Sequence, residues 1–295
     1  MIRIGVLGFG EAGSIFAAAL ARAGAAVDSY DRLWDARDAA HLTELAADHP
    51  GIGFCRLPEL IEAADVILST VTTDAALDAA RACLPYLKQG QLYCDLNSTA
   101  PAVKRELDEL LEPSGATFVE GAILGLIGVS GANTQILLGG REAEALSARL
   151  NGLDLNTSAY SAEIGRASTF KMLRSVFSKG LEALIIEFLL AGHEAGLEDD
   201  LWREVTALMD DNGFDKVARN WVCSHAVAHA RRYHEMVQVE ALLDEMRIDP
   251  VMTAATRRFF ERSTEIELAD DFADKPESMR DVIETLLRRT RRDCR

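Results

Sequence analysis

Apolar and polar positions in the first half of the chain switch between two periods. Short β-type runs stand at "IRIGVL" (2–7), "AVDSYD" (26–31), "DVILST" (65–70), "QLYCDL" (91–96), "TFVEGA" (117–122) and "TQILLGG" (134–140), the first of them nearly continuously apolar. Runs of this length and composition are those of strands covered on both faces. Between them the spacing turns helical, from Glu11 to Ala23 with Gly24 closing the helix, and again near 73–84, 101–112 and 142–150. Strands alternating with helices of this length predict a doubly wound, mostly parallel α/β sheet. From Ile164 onward no strand pattern is found. A long, largely apolar helix is expected from about Ala167 to Ala195, followed by shorter amphipathic helices, the last opening at a cap formed by Asp274, Pro276 and Glu277. The expected organisation is an α/β domain over residues 1–163 and an all-α C-terminal domain over 164–295.

The first strand runs into "GFGEAG", with glycines at Gly8, Gly10 and Gly13 before the first helix. Alone, a G-x-G-x-x-G spacing is a weak signal. Between a strand and a helix of a βαβ unit it is the Rossmann-type dinucleotide fingerprint. Gly8 permits the tight turn, Gly10 lets a pyrophosphate approach the backbone, and Gly13 lets helix and strand pack closely. The whole stretch Gly8, Phe9, Gly10, Glu11, Ala12 and Gly13 is the candidate cofactor loop, with the Glu11 side chain expected to face solvent because a carboxylate repels a diphosphate. Asp31, ending the second strand, is placed to accept hydrogen bonds from adenosine ribose hydroxyls and to repel a 2′-phosphate. Arg32 beside it could pair with that phosphate, so NAD is expected with NADP as second choice. Thr70 and Val71, at the end of a later strand, are expected on the same sheet edge.

Composition narrows the partners. With 47 acidic residues against 31 basic and a formal charge of −16, most of the surface should repel nucleic acid and anionic membranes. The basic run Arg288, Arg289, Arg291 and Arg292 is read as compensating the negative end of a last helix. Five cysteines, Cys55, Cys83, Cys94, Cys223 and Cys294, form an odd set without a C-x-x-C pair, which suggests reduced thiols in the cytoplasm. No signal peptide is read, and the apolar stretch Ala183–Gly192 is interrupted by Glu187 and is too short to cross a bilayer. His225 and His229 share a helix face, but His234 falls away from it, so no metal site is expected and the pair is read as helix surface.

Four segments, "GVLGFGEAGSIFAAALARAG", "DLNSTAP" (95–101), "VEGAILGLIGVSGANTQILLGG" (119–140) and "GRASTFKMLRS" (165–175), resemble the β-hydroxyacid dehydrogenase superfamily, which includes 3-hydroxyisobutyrate and 6-phosphogluconate dehydrogenases. The look is closest to a branch whose helical C-terminal domain has no assigned role. The resemblance implies Lys171 as the catalytic lysine and Asn97, Ser98 and Gly125 as substrate-binding positions. It also shows departures. Asn97 and Ser98 replace a serine and a threonine, Leu124 replaces a serine, and Arg174 and Ser175 stand where the family carries two asparagines. Glu120 takes the place of the family's aspartate.

Lys171 also has a case on its own residues. On one helix face with Arg174 and Ser175, it must snorkel or serve a polar site. A nearby cation would lower its pKa towards neutrality, as proton transfer wants. Arg174 could clamp a carboxylate or phosphate, or simply pair with a neighbouring acid. The expected function is an NAD(P)-dependent oxidoreductase acting on a small anionic 3-hydroxy acid, phosphorylated or not, with Lys171 as acid and base. The alternatives are an imine-reductase-like enzyme or a cofactor-binding sensor without turnover. The apolar positions Leu181, Leu184, Ile185, Phe188 and Leu189 lie on more than one helix face, so that helix is expected to be buried nearly all round in a homodimer or larger homo-oligomer.

Overall fold

The structure is a computed structural model that describes residues 2–35 and 39–292. Cys294 lies outside these residues, as does the side chain of Arg292. The chain divides into two compact units, residues 1–176 and Phe177–Arg295.

The first unit is built from β1 (Arg3–Leu7), α1 (Glu11–Arg22), β2 (Ala26–Tyr30), α2 (Ala39–Asp48), β3 (Ile52–Phe54), α3 (Leu57–Ala63), β4 (Val66–Ser69) and α4 (Ala76–Cys83). It continues through β5 (Leu92–Asp95), α5 (Pro101–Leu111), β6 (Thr117–Leu124), α6 (Ile127–Ser130), β7 (Gln135–Gly139), α7 (Ala143–Asn151) and β8 (Thr157–Ser161). The strands make one eight-stranded sheet in the order β3-β2-β1-β4-β5-β6-β7-β8. All neighbours pair in parallel except β6 and β7. Strand order reverses between β1 and β4, where doubly wound sheets open a ligand crevice at the carboxyl ends of the strands.

Both faces are covered, which explains the apolar runs. Ile4, Val6, Val66 and Leu68 pack on one face with Phe16 and Leu20 of α1. Leu7, Ile67 and Tyr93 pack on the other with Leu60, Ile61, Leu107 and Leu111. Two strands escape the hydrophobic pattern. β3 is only "IGF", and β8, "TSAYS", is a half-exposed edge with no apolar run.

The long helix α8 runs from Arg166 to Glu194, and the division between the units falls within it. The second unit holds the rest of α8 with α9 (Glu198–Asn212), α10 (Phe214–Glu245), α11 (Val251–Glu265) and α12 (Met279–Arg292). α10, at 32 residues, exceeds the 29 of α8, so the helices after α8 are not uniformly shorter. α12 opens at Ser278, whose hydroxyl accepts from the Asp281 amide at 3.4 Å, and not at Asp274. Arg289 and Arg288 both pair with Asp271, at 2.5 and 3.1 Å, so half of the basic run is spent on one acid and not on the helix end. Those arginines hold the Asp271 carboxyl below its ordinary range.

Candidate functional site

The glycine loop sits at the crevice between β1 and β4. Gly8 has φ +95°, and a Cβ there would stand 2.8 Å from the Thr70 carbonyl oxygen. Gly13 is closed more tightly, since a Cβ would lie 2.0 Å from Gly8 O and 2.7 Å from Thr70 Oγ1. Thr70 Oγ1 donates to Gly8 O at 2.7 Å, so it braces the loop from β4. Around Gly10 a Cβ would meet nothing within 4 Å, and α1 carries no side-chain cap. The first helical amides are therefore without a protein side-chain acceptor beside open backbone, the cradle a diphosphate needs. Glu11 is exposed, with Oε1 2.8 Å from where a Cβ on Gly128 would be. Val71 is half-buried beside the loop, its amide nitrogen 3.0 Å from the position of a Gly8 Cβ.

Asp31 is joined to this loop. Its Oδ2 accepts from the Phe9 amide at 2.9 Å, and its Oδ1 accepts from Leu33 N at 3.0 Å. Arg32 is exposed in the short turn that follows. Phe9 itself enters an aromatic cluster with its ring centroid 5.7 Å from Trp34, 5.1 Å from His49 and 5.1 Å from Phe54. That cluster joins residues distant in sequence, and no periodicity announces it.

A second site lies at the carboxyl ends of β5 and β6 and on the first turns of α8. A cavity of about 290 Å³ is lined by Asn97, Ser98, Thr99, Gly121, Ala122, Ser168, Lys171, Met172 and Ser175. Lys171 Nζ donates to Ser98 Oγ at 2.5 Å. Burial pushes the lysine's pKa down from its ordinary value, and the charge of Lys104 lowers it further. The cation that acts is Lys104 on α5, fully buried, and not Arg174 on the lysine's own helix. The Lys104 ammonium donates to Asp95 Oδ2 at 2.5 Å, Asp95 O at 2.8 Å and Asn97 O at 2.9 Å.

Sequence reasoning missed both Lys104 and the role of Glu120. Glu120, fully buried on β6, accepts from the amides of Gly165 (2.7 Å), Ala167 (3.0 Å) and Ser168 (3.3 Å), and from Ser168 Oγ. A strand carboxylate thus caps α8 and fixes the turn before Lys171. The available signal was a charged residue inside an apolar strand run. Ser175 lines the cavity and donates to Lys171 O at 3.0 Å. Arg174 is exposed and Gly125, with φ 152°, stands just beyond β6; neither is among the cavity-lining residues.

In the second unit His225 and His229 are buried, not surface residues. His225 Nε2 lies 2.9 Å from Ser263 Oγ, and His229 Nδ1 lies 2.9 Å from His225 O. Burial, with His229 and Arg232 nearby, pushes the His225 pKa down to about 4. Cys55, Cys83, Cys94 and Cys223 are free thiols. Among the described residues no helix is long and apolar enough to cross a membrane.

Residues 3–150 match the model of the NAD binding domain of 6-phosphogluconate dehydrogenase. The chain belongs to that family. It has an NAD(P)-binding dehydrogenase fold and is of the NAD(P)-dependent dehydrogenase class. Residues 192–263 match a domain of unknown function (DUF1932). A conserved protein of unknown function, described as structurally similar to 3-hydroxyacid dehydrogenases, is 32% identical with TM-score 0.60, over 91% of this chain and 99% of that one. A conserved hypothetical protein from Sinorhizobium meliloti is 29% identical with TM-score 0.62, over 98% and 97%. An imine reductase from Myxococcus stipitatus, in complex with NADP+, shares the fold at 17% identity and TM-score 0.71, over 89% of this chain and 94% of that one.

Proposed function

We propose that the protein oxidises and reduces a small anionic 3-hydroxy acid with NAD as the preferred cofactor, and that Lys171 carries the proton. The observation that supports this most is the Lys171–Ser98 contact of 2.5 Å within the cavity. A lysine of lowered pKa can shed and regain a proton at an accessible pH. The Gly8–Gly13 loop and Asp31 would hold the cofactor's diphosphate and ribose. The chemistry a bound nicotinamide supplies is two-electron hydride transfer.

In oxidation Lys171 takes the hydroxyl proton from the substrate as the carbon–hydrogen bond gives up its hydride. In reduction Lys171 returns that proton to the new hydroxyl oxygen. Ser98 orients the ammonium, and Lys104 keeps the lysine in reach of its neutral form. Arg174, exposed three residues beyond Lys171 on α8, would offer a guanidinium to a distal carboxylate or phosphate. An imine substrate would not need a base of this kind in the forward direction, which favours the hydroxy acid reading.

The test is Lys171→Met, which keeps most of the stem and removes the ammonium. With NAD+ and a panel of short 3-hydroxy acids, turnover should fall by about a hundredfold or more, with NAD+ affinity nearly unchanged. The wild-type rate of oxidation should rise with pH and level off below the ordinary lysine value of about 10.4, because the neutral amine is the active form. A variant that retains near wild-type turnover would remove the lysine from the mechanism.

A further inference from the structure

The second unit holds a cavity of its own. It measures about 430 Å³ and lies between α10, α11 and α12, with Trp221, His225, Phe259, Phe260 and Ile283 among its lining residues. His225 is buried, whereas Trp221, Phe259 and Ile283 are 46–53% exposed, so the lining runs from closed to open. Its rings are packed together: the His225 centroid is 5.5 Å from Phe259 and 5.4 Å from Phe260, and the two phenyl rings stand 6.3 Å apart. No carboxylate lines it. A concave, mostly apolar and aromatic wall with few polar groups is the form of a small-molecule site.

Two ionisable groups line this cavity, His225 and Arg232, and only one is charged near neutral pH. His225 presents a ring and no charge, because its pKa is pushed down to about 4 and its Nε2 is engaged by Ser263 Oγ. Arg232 keeps its charge at any accessible pH. At 100° per residue, Trp221, His225 and Arg232 lie within about 40° of one another on one face of α10. The guanidinium reaches back along that face, Nη1 donating to Trp221 O at 3.4 Å and Nη2 to Ser224 Oγ at 2.7 Å. Both partners are neutral oxygens of its own helix, and they use only part of the guanidinium's five N–H donors. The other arginines of α10 each hold a carboxylate, Arg219 that of Asp215 and Arg231 that of Glu235. Among the described residues Arg232 pairs with none, in a chain of 47 acidic residues. A partly buried cation without a carboxylate, set in an apolar wall, is a receptor for an anion whose remainder is apolar.

We propose that this cavity binds an aromatic carboxylate, its ring among Trp221, Phe259 and Phe260 and its carboxylate accepting from the remaining N–H groups of Arg232. The two bonds to α10 hold the guanidinium in place beforehand, so little side-chain freedom is lost when the anion arrives. A flat ring suits the wall because aromatic groups gain from edge-to-face and offset contacts that an alkyl chain cannot make. A phosphate monoester would bring a second negative charge to a single guanidinium, and an amine would be repelled by it. Every lining residue belongs to the second unit, whereas the cavity of Lys171 is lined by residues of the first. The proposal therefore stands or falls independently of the hydroxy acid reading.

Titration calorimetry on the full chain compares 3-phenylpropanoate with the neutral 3-phenylpropanamide and with octanoate. The aromatic acid should bind with a Kd of about 100 μM or tighter, the amide about tenfold more weakly for want of the charge that Arg232 meets, and octanoate about threefold more weakly. Arg232→Gln should bring acid and amide within about twofold of each other, chiefly by weakening the acid. Because that change also removes the bonds to Trp221 O and Ser224 Oγ, Ile283→Trp is the second variant: it fills the open side of the cavity and should weaken acid and amide alike by about tenfold. Thermal melting checks that both variants fold. Lys171→Met should leave all three affinities unchanged, and a loss there would put the acid in the other cavity and overturn the proposal. Equal binding of acid and amide, tighter binding of octanoate, wild-type affinity in Ile283→Trp, or no binding at all would overturn it too. Absence of binding, joined to a shift from dimer to monomer in Ile283→Trp by light scattering, would give this surface to a second copy of the chain instead.

Discussion

Asp31 has two duties. Its position at the end of β2 is that of a ribose acceptor, yet both of its oxygens already hold backbone amides, those of Phe9 and Leu33. A carboxylate has about four lone-pair directions, so the two duties are compatible. Asp31→Ser should therefore weaken NAD by about 1.5–3 kcal/mol for each charged hydrogen bond lost and relieve the repulsion of a 2′-phosphate, moving preference towards NADP. Fluorescence titration with both cofactors reads the ratio. Unchanged affinities for both would place the adenosine elsewhere. The first duty was legible in the sequence because it follows from strand and loop order alone. The bond to Phe9 was not, because it depends on how closely the loop folds back over β2. Lys104 shows the same divide more sharply: a lysine on a helix reads as solvated, and only the Asp95 carboxylate with the carbonyls of Asp95 and Asn97 explains its burial.

Whole elements follow a similar rule. Six strands and the long helix were legible because each buries an apolar run, while β3 and β8 were too short or too exposed to carry one. The start of α8 was legible only approximately, since its cap comes from β6 and not from the residues beside it. Glu120 serves four donors there, and Glu120→Gln would turn one acceptor into a donor facing other donors. A loss of about 2–4 kcal/mol in urea unfolding is expected, together with a slower reaction, because the turn that presents Lys171 loosens. A loss below about 0.5 kcal/mol would show that α8 is held by packing alone. The break in the apolar stretch at Glu187 has a matching explanation. That side chain accepts from Met252 N at 2.6 Å, Thr253 N at 2.8 Å and Thr253 Oγ1 at 2.7 Å, so it caps α11.

At the scale of the whole molecule, the expectation that α8 is buried on all sides does not hold within one chain. Leu173, Val176, Phe177, Ile186 and Leu190 are 54–73% exposed, and Leu181 and Leu184 are also open. An apolar strip of this kind on a helix calls for a cover, and a second copy of the chain is the cover we propose. Light scattering at micromolar concentration should give a dimer or larger, and Val176→Asp with Leu190→Asp should shift it to monomer; a wild-type monomer would refute the assembly. The two capping glutamates carry a consequence for how the chain acquires its structure. The first turn of α8 meets its acceptor only after a segment 45 residues earlier has become a strand, and α11 meets its acceptor 65 residues back. Such distant closures are slow relative to helix growth, whose steps take about nanoseconds per residue. During synthesis, then, α8 and α11 can grow as helices first, and the beginning of each becomes fixed only when Glu120 or Glu187, already released by the ribosome, closes on it.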